Sequence, residues 1–176
     1  MFDLIKMVVV LTVLAAVAGG VLSGVKAATE ERAQFQELTF AKGPVLKQLF
    51  KNASNDMIAD RFTLTSGEEA VTVFPVAVAG QFRYVALSAS GKGFGGDIGL
   101  IVGVDIETGK IHGAGVATHS ETPGYGSRAK EQPELVMNMF QGLPVDQSFK
   151  VKSEGGAVDA ISGATYSSKA VLDGTN

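Results

Sequence analysis

The 176-residue chain has no cysteine and only two histidines, His112 and His119. Without thiolates it forms neither a disulfide nor a cysteine-ligated iron–sulfur cluster, and its redox compartment is left unmarked. Two histidines with no paired spacing give no metal site. No basic run is present and the net charge is −3, so nothing suggests a nucleic-acid partner. Repeats and low-complexity tracts are also missing. Any redox chemistry must therefore come from an imported organic cofactor.

What is present begins with an uncharged stretch from Met7 to Val25, about the 20 residues a helix needs to cross a bilayer core. It reads as a membrane anchor or a signal peptide. Val25-Lys26-Ala27 offers a cleavage site, but the stretch exceeds a usual signal core and Lys6 is offset by Asp3, so a retained anchor fits better. Lys6 and the amino terminus balance Lys26 and Arg32, leaving orientation undecided by positive-inside counting. Gly20 and Gly24 form a Gly-x-x-x-Gly pair that lets another helix approach, or they are incidental in a lone anchor. The span holds no ionisable residue for a relay, so this chain alone would not pump ions.

The remaining 150 or so residues suffice for one compact domain. Ala27–Phe40 reads as a helix leaving the membrane, broken at Gly43-Pro44 before a short helical turn bearing Val45, Leu46, Leu49 and Phe50. Asn52–Asp60 is a polar connection. Val71–Val78 and Phe82–Ala89 are strand-like and joined at Gly80-Gln81, with Pro75 marking the first as an edge or irregular strand. Ile98, Leu100, Val102, Val104 and Ile106 alternate, and a turn at Thr108-Gly109 leads to a partner strand, Ile111–Ala117. Gln132-Pro133 opens a helix through Phe140 that buries Val136, Met139 and Phe140. A last helix, Tyr166–Leu172, turns Ala170 and Val171 inward. This order predicts an α+β domain in which an antiparallel or mixed sheet is flanked by helices. Gly91-Lys92-Gly93-Phe94-Gly95-Gly96 spells Gly-x-Gly-x-x-Gly, but a strand follows where a dinucleotide fold needs a helix, so a Rossmann site is rejected. In Gly124-Tyr125-Gly126-Ser127 the serine falls one place late for a nucleophile elbow. A hydrolase built on His119 and Glu121 is poorly supported.

Three segments carry the strongest chemical signal. Near the carboxyl end runs Asp159-Ala160-Ile161-Ser162-Gly163-Ala164-Thr165-Tyr166-Ser167-Ser168. Upstream lie His119-Ser120-Glu121-Thr122-Pro123-Gly124-Tyr125-Gly126 and Gly93-Phe94-Gly95-Gly96-Asp97-Ile98. Taken alone, the Ser-Gly-Ala-Thr core also suits an ordinary helix start with Ser162 or Thr165 as N-cap, and the Pro-Gly loop suits a solvent-facing turn. Together and in this order, the segments resemble the flavin-binding domain of the G subunit of the Rnf electron-transport complex. That family is related to the C subunit of the sodium-pumping NADH:quinone reductase. The resemblance runs from about Phe74 to the chain end and includes the N-terminal anchor. Tyr125 stands where the family most often has leucine. The family's last helix usually continues beyond the position of Asn176, so a truncated end is expected.

The resemblance implies a domain layout of 1–26 as transmembrane anchor, 27–69 as helical connector and start of the domain, and 70–176 as FMN-binding domain. It implies FMN joined to Thr165 by a phosphoester, a bond made by a separate flavin transferase. Ser162, Gly163, Ala164, Ser167 and Ser168 would surround that site, with the phosphate near a helix N-terminus, where unpaired N–H groups favour an anion. His119, Glu121 and Thr122 would offer hydrogen bonds to the ribityl chain or ring edge, while Pro123, Gly124 and Gly126 admit backbone close to the flat ring. Asp159 is the motif acid, aiding attachment or holding the turn. The implied role is an electron carrier in the cytoplasmic membrane, single-pass, in contact with lipid, with its domain on the periplasmic side. It would work with other Rnf subunits between ferredoxin and NAD, coupled to sodium or proton movement. A membrane-tethered scaffold or sensory domain without flavin is the alternative, and a flavin enzyme with its own substrate is a third reading.

Overall fold

The computed structural model describes residues 2–66 and 69–176. Met1, with the amino-terminal charge, and Gly67 and Glu68, inside the expected connector, lie outside the described residues. The chain divides into two units, Met1–Leu38 and Thr39–Asn176.

In the first unit, helix α1 (Phe2–Gln36) runs without a break. Its Phe2–Glu30 portion contains an 18-residue window with a mean hydropathy of 2.4 and no buried residues, a length and composition sufficient to cross a bilayer. Two hydroxyls in it are satisfied internally, Thr12 Oγ1 donating to Val8 O at 2.8 Å and Thr29 Oγ1 to Val25 O at 2.8 Å. Such back-bonding hides the polar group from an apolar surrounding. Where the sequence predicts a helix to Phe40, the chain instead enters a π-helical turn at Glu37–Lys42.

In the second unit, α2 (Gly43–Leu49) starts with Pro44 in its first turn, where a missing N–H costs nothing. Five strands follow: β1 (Phe62–Ser66), β2 (Glu69–Val78), β3 (Gln81–Lys92), β4 (Asp97–Asp105) and β5 (Lys110–Thr118). They pair in sequence order, each antiparallel to the next. Helices α3 (Arg128–Glu131), α4 (Pro133–Phe140) and α5 (Thr165–Asp173) complete the fold.

Of the two expectations for Pro75, the irregular strand is the one observed: β2 is an interior strand, beside a β1 that was not foreseen, and its register with β3 shifts between Val76 and Ala77. The register explains the tolerance. β1 begins at Phe62 opposite Val73, so it has run out before Pro75. There Asn55 takes over the outer side, its Nδ2 donating to Pro75 O at 2.9 Å and its Oδ1 accepting from Ala77 N at 2.8 Å. A residue's N–H and C=O point to the same side of a strand, so the proline removes no ladder bond. The β2–β3 turn is Ala79-Gly80, one residue earlier than expected, with φ of 51° and 80°. That left-handed pair matches the twist of a two-residue hairpin.

The pleat sends alternate residues to opposite faces. Ile98, Leu100, Val102, Ala114 and Val116 pack with Val136 and Phe140 of α4 and with Ala170, Val171 and Leu172 of α5. The other face receives α2 across glycines: a Cβ at Gly103 would meet the Phe50 ring, and one at Gly115 would meet Val45 Cγ1.

The β4–β5 turn rests on Asp105, whose Oδ1 accepts from Glu107 N at 2.9 Å and Thr108 N at 3.0 Å. The Thr108 N–H above all, with help from the Glu107 N–H and Arg83 and against some burial, holds this carboxyl below the usual aspartate range. A depressed folded value means that the stabilisation is complete above the unfolded value of about 3.9 and disappears as pH falls through the folded one. We expect Asp105→Asn to cost about 1 kcal/mol at pH 7 and to approach the wild type at pH 3. Urea midpoints of both proteins at the two pH values check this, and an equal gap at both would refute it.

Candidate functional site

The sheet register assembles most of the site. Lys92 pairs with Asp97 and Gly99 with Thr118, so the β3–β4 turn and the chain leaving β5 emerge side by side at one end of the sheet. Gly93 N donates to Gly96 O at 3.0 Å and closes that turn. The start of α5 reaches the same end because the helix crosses β3 at Gly91, where any Cβ would collide with the Ala170 carbonyl.

Glu121 joins the three segments. It is 7% exposed; Oε1 accepts from Gly95 N at 2.7 Å, and Oε2 accepts from the Ser167 hydroxyl. The surrounding glycines are required for this fit, since a Cβ at Gly93 would lie 2.5 Å from Oε1 and one at Gly126 2.5 Å from Oε2. Glu121 N in turn donates to His119 Nδ1 at 3.2 Å. The Thr122–Ser127 turn is held by Tyr125 N to Thr122 O at 3.2 Å and by Gly124 N to Ser127 Oγ at 2.9 Å, with Gly124 at φ 76°.

The Ser-Gly-Ala-Thr segment is a turn followed by a helix start. Ala164 N donates to Ile161 O at 2.9 Å, and Gly163 at φ 78° makes the bend. Ser168 lies beneath, fully buried, its Oγ accepting from Ile161 N and donating to Ala164 O, each at 2.9 Å. The N-cap of α5 is Ala164, without a side-chain hydrogen bond. Neither Ser162 nor Thr165 is the cap that the letters allowed. Thr165 is the first helical residue, and its side chain is exposed.

A cleft of about 220 Å³ opens here, lined by Phe94, Glu121, Thr122, Tyr125, Gly126, Gly163, Ala164, Thr165, Tyr166 and Ser167. Phe94, Tyr125 and Tyr166 are 77%, 62% and 72% exposed, and the Phe94 and Tyr166 rings lie 6.3 Å apart. Of the sequence-predicted residues, Glu121, Thr122, Gly126, Gly163, Ala164, Thr165 and Ser167 therefore meet in one cleft. His119 turns its Nδ1 to its own loop, Pro123 and Gly124 form the exposed turn, and Ser168 is spent on the backbone. Asp159 is exposed and paired with Lys152 Nζ at 2.7 Å. Ser162 is exposed, and its carbonyl accepts from Arg128 Nη1 at 3.1 Å. Sequence reading assigned no role to Arg128; the one signal available was its place directly after the glycine loop.

Comparisons with known proteins match this geometry. The FMN-binding domain family matches residues 93–176, from the glycine turn to the last residue, and so includes every residue of the cleft. The G subunit of the ion-translocating oxidoreductase complex of Methanosarcina acetivorans is 30% identical over 172 residues, 97% of this chain and 90% of that protein. The chain belongs to this G-subunit family. Its counterpart in Stutzerimonas stutzeri is 35% identical over 138 residues, 74% of this chain and 60% of that protein. The chain thus spans less than two thirds of that relative's length. The fold is also that of the C subunit of the sodium-translocating NADH-quinone reductase from Parabacteroides distasonis, at 28% identity and a TM-score of 0.52, covering 69% of this chain and 63% of that one.

The residues present suit FMN. The Thr165 hydroxyl is accessible, the first turn of α5 has N–H groups without a capping side chain, and three exposed rings offer apolar surface that a planar group would cover. The buried hydroxyls serve the framework instead. Ser168→Ala would strand the Ile161 N–H in the interior, and we expect a loss of about 2 kcal/mol, read as a lower urea midpoint with unchanged slope.

Proposed function

We propose that this member of the G-subunit family is a membrane-anchored electron carrier that holds FMN as a phosphoester on Thr165. The observation that carries the reading is the sorting of hydroxyls in Ser162–Ser168. Ser167 and Ser168 are buried and engaged, Ser162 does not line the cleft, and of the aliphatic hydroxyls in this run Thr165 alone is exposed within it. Esterification there leaves a phosphate charge beside the helix N-terminus, which favours an anion.

The bound flavin would supply the capacity to accept and release electrons. The chain's own groups do the rest. Glu121 and the glycines hold the floor of the cleft, Thr122 offers a hydroxyl, Phe94, Tyr125 and Tyr166 shield its sides, and Arg128 fixes the Ser162 carbonyl at the approach to Thr165. In this reading residues 1–26 anchor the chain in the cytoplasmic membrane, 27–69 connect, and 70–176 form the flavin domain on the periplasmic side. Its partners are membrane lipid, a flavin transferase and other subunits of an Rnf-type complex, between ferredoxin and NAD. Support comes from the membrane-length α1 and from membership of a family named for an ion-translocating oxidoreductase complex.

Intact mass tests the attachment. Native protein is expected to exceed its sequence mass by one FMN less water and to fluoresce after denaturation, and Thr165→Val is expected to lose both signals. Native protein of unmodified mass would sink the proposal and favour a tethered scaffold without flavin.

A further inference from the structure

Glu121 is a buried carboxylate with no cation beside it. Its two oxygens take hydrogen bonds from neutral donors, the Gly95 N–H and the Ser167 O–H. No ion pair is formed by Glu121 among the described residues. Among the residues lining the cleft, Glu121 is the only carboxylate and none is basic. A brace made only for packing would need no charge, because a neutral amide fits the same space and can still accept from the Gly95 N–H.

We infer that Glu121 places a fixed negative charge against the flavin in this cleft and thereby holds its reduction potential low. The inference rests on the proposed seating of FMN at Thr165. Reduction adds electron density to the cofactor, and a negative charge beside it, on a side chain only 7% exposed, opposes that addition. The Gly95 and Ser167 hydrogen bonds stabilise the charge and spread part of it. Glu121 acts through its field and takes up no electron itself.

The test is redox titration of the full flavin-loaded chain, carried out on wild type, Glu121→Gln and Ser167→Ala, with intact mass recorded for each. Gln keeps the shape and removes the charge, so the potential is expected to rise by on the order of a tenfold change in the two-electron equilibrium constant, about 30 mV. Ala at 167 keeps the charge and removes a donor, so the potential is expected to fall. A purely structural brace would send both variants the same way. An unchanged potential in Glu121→Gln, a shared direction of shift, or a folded Glu121→Gln that takes up no flavin overturns the inference. Should Glu121→Gln not fold, Ser167→Ala decides alone, a fall supporting the inference and a rise or no change overturning it. Wild-type protein without flavin would instead remove the proposed function on which the inference stands.

Discussion

One carboxylate carries the architecture of the cleft. Glu121 bonds to a backbone N–H 26 residues upstream and a hydroxyl 46 residues downstream, closing two long loops around a single side chain. Loop closure on that scale costs entropy, and the hydrogen bonds offset it because both oxygens are satisfied away from water. The demand passes to the sequence as glycine. Gly93 and Gly126 approach the carboxylate so closely that any side chain would displace it, and Gly95 lies against the Ser120 backbone. The glycine-rich turn and the Pro-Gly loop, read as separate motifs, are thus two walls of one hydrogen-bonded joint.

The sheet makes that joint possible. Antiparallel neighbours in sequence order put the β3–β4 turn and the end of β5 at the same edge without a long crossover, an arrangement rich in local contacts. α5 then brings its first turn in by lying across β3, where Gly91 removes the obstacle. Thr165 is positioned by packing of Ala170, Val171 and Leu172 at the far end of its helix, so its hydroxyl stays free of framework duties.

The parts visible in the sequence are those with a strong period or a residue of unusual chemistry. β4 and β5 alternate cleanly, α4 opens on Gln132-Pro133, and the run around Thr165 stands out by composition. β1 escaped notice because Phe62 and Leu64 are themselves exposed, so its alternation points to no covered face. The π-helical turn and the one-turn α3 are too short to leave a period. Pro75 misled because the rule against proline concerns the side of the strand that pairs, and only the three-dimensional register shows that this side belongs to Asn55. The framework bonds of Ser167, Ser168 and Glu121 stayed hidden for a similar reason: a polar letter in a motif does not say which of its atoms face a ligand and which the backbone.

The openness of the cleft bears on why a carrier of this kind would hold its cofactor covalently. Sites that retain a free ligand commonly enclose about 300–1,000 Å³ and bury most of its surface, whereas this one offers about 220 Å³ with its three aromatic rings largely in solvent. Contacts alone would give a flavin here little affinity. Deepening the cleft would raise affinity but wall the ring off from the proteins with which it exchanges electrons. The proposed bond through Thr165 would resolve that conflict, because residence would no longer depend on burial and the ring would stay at high local concentration beside its partners. In that reading the shallow cleft and the accessible Thr165 hydroxyl are two halves of one solution.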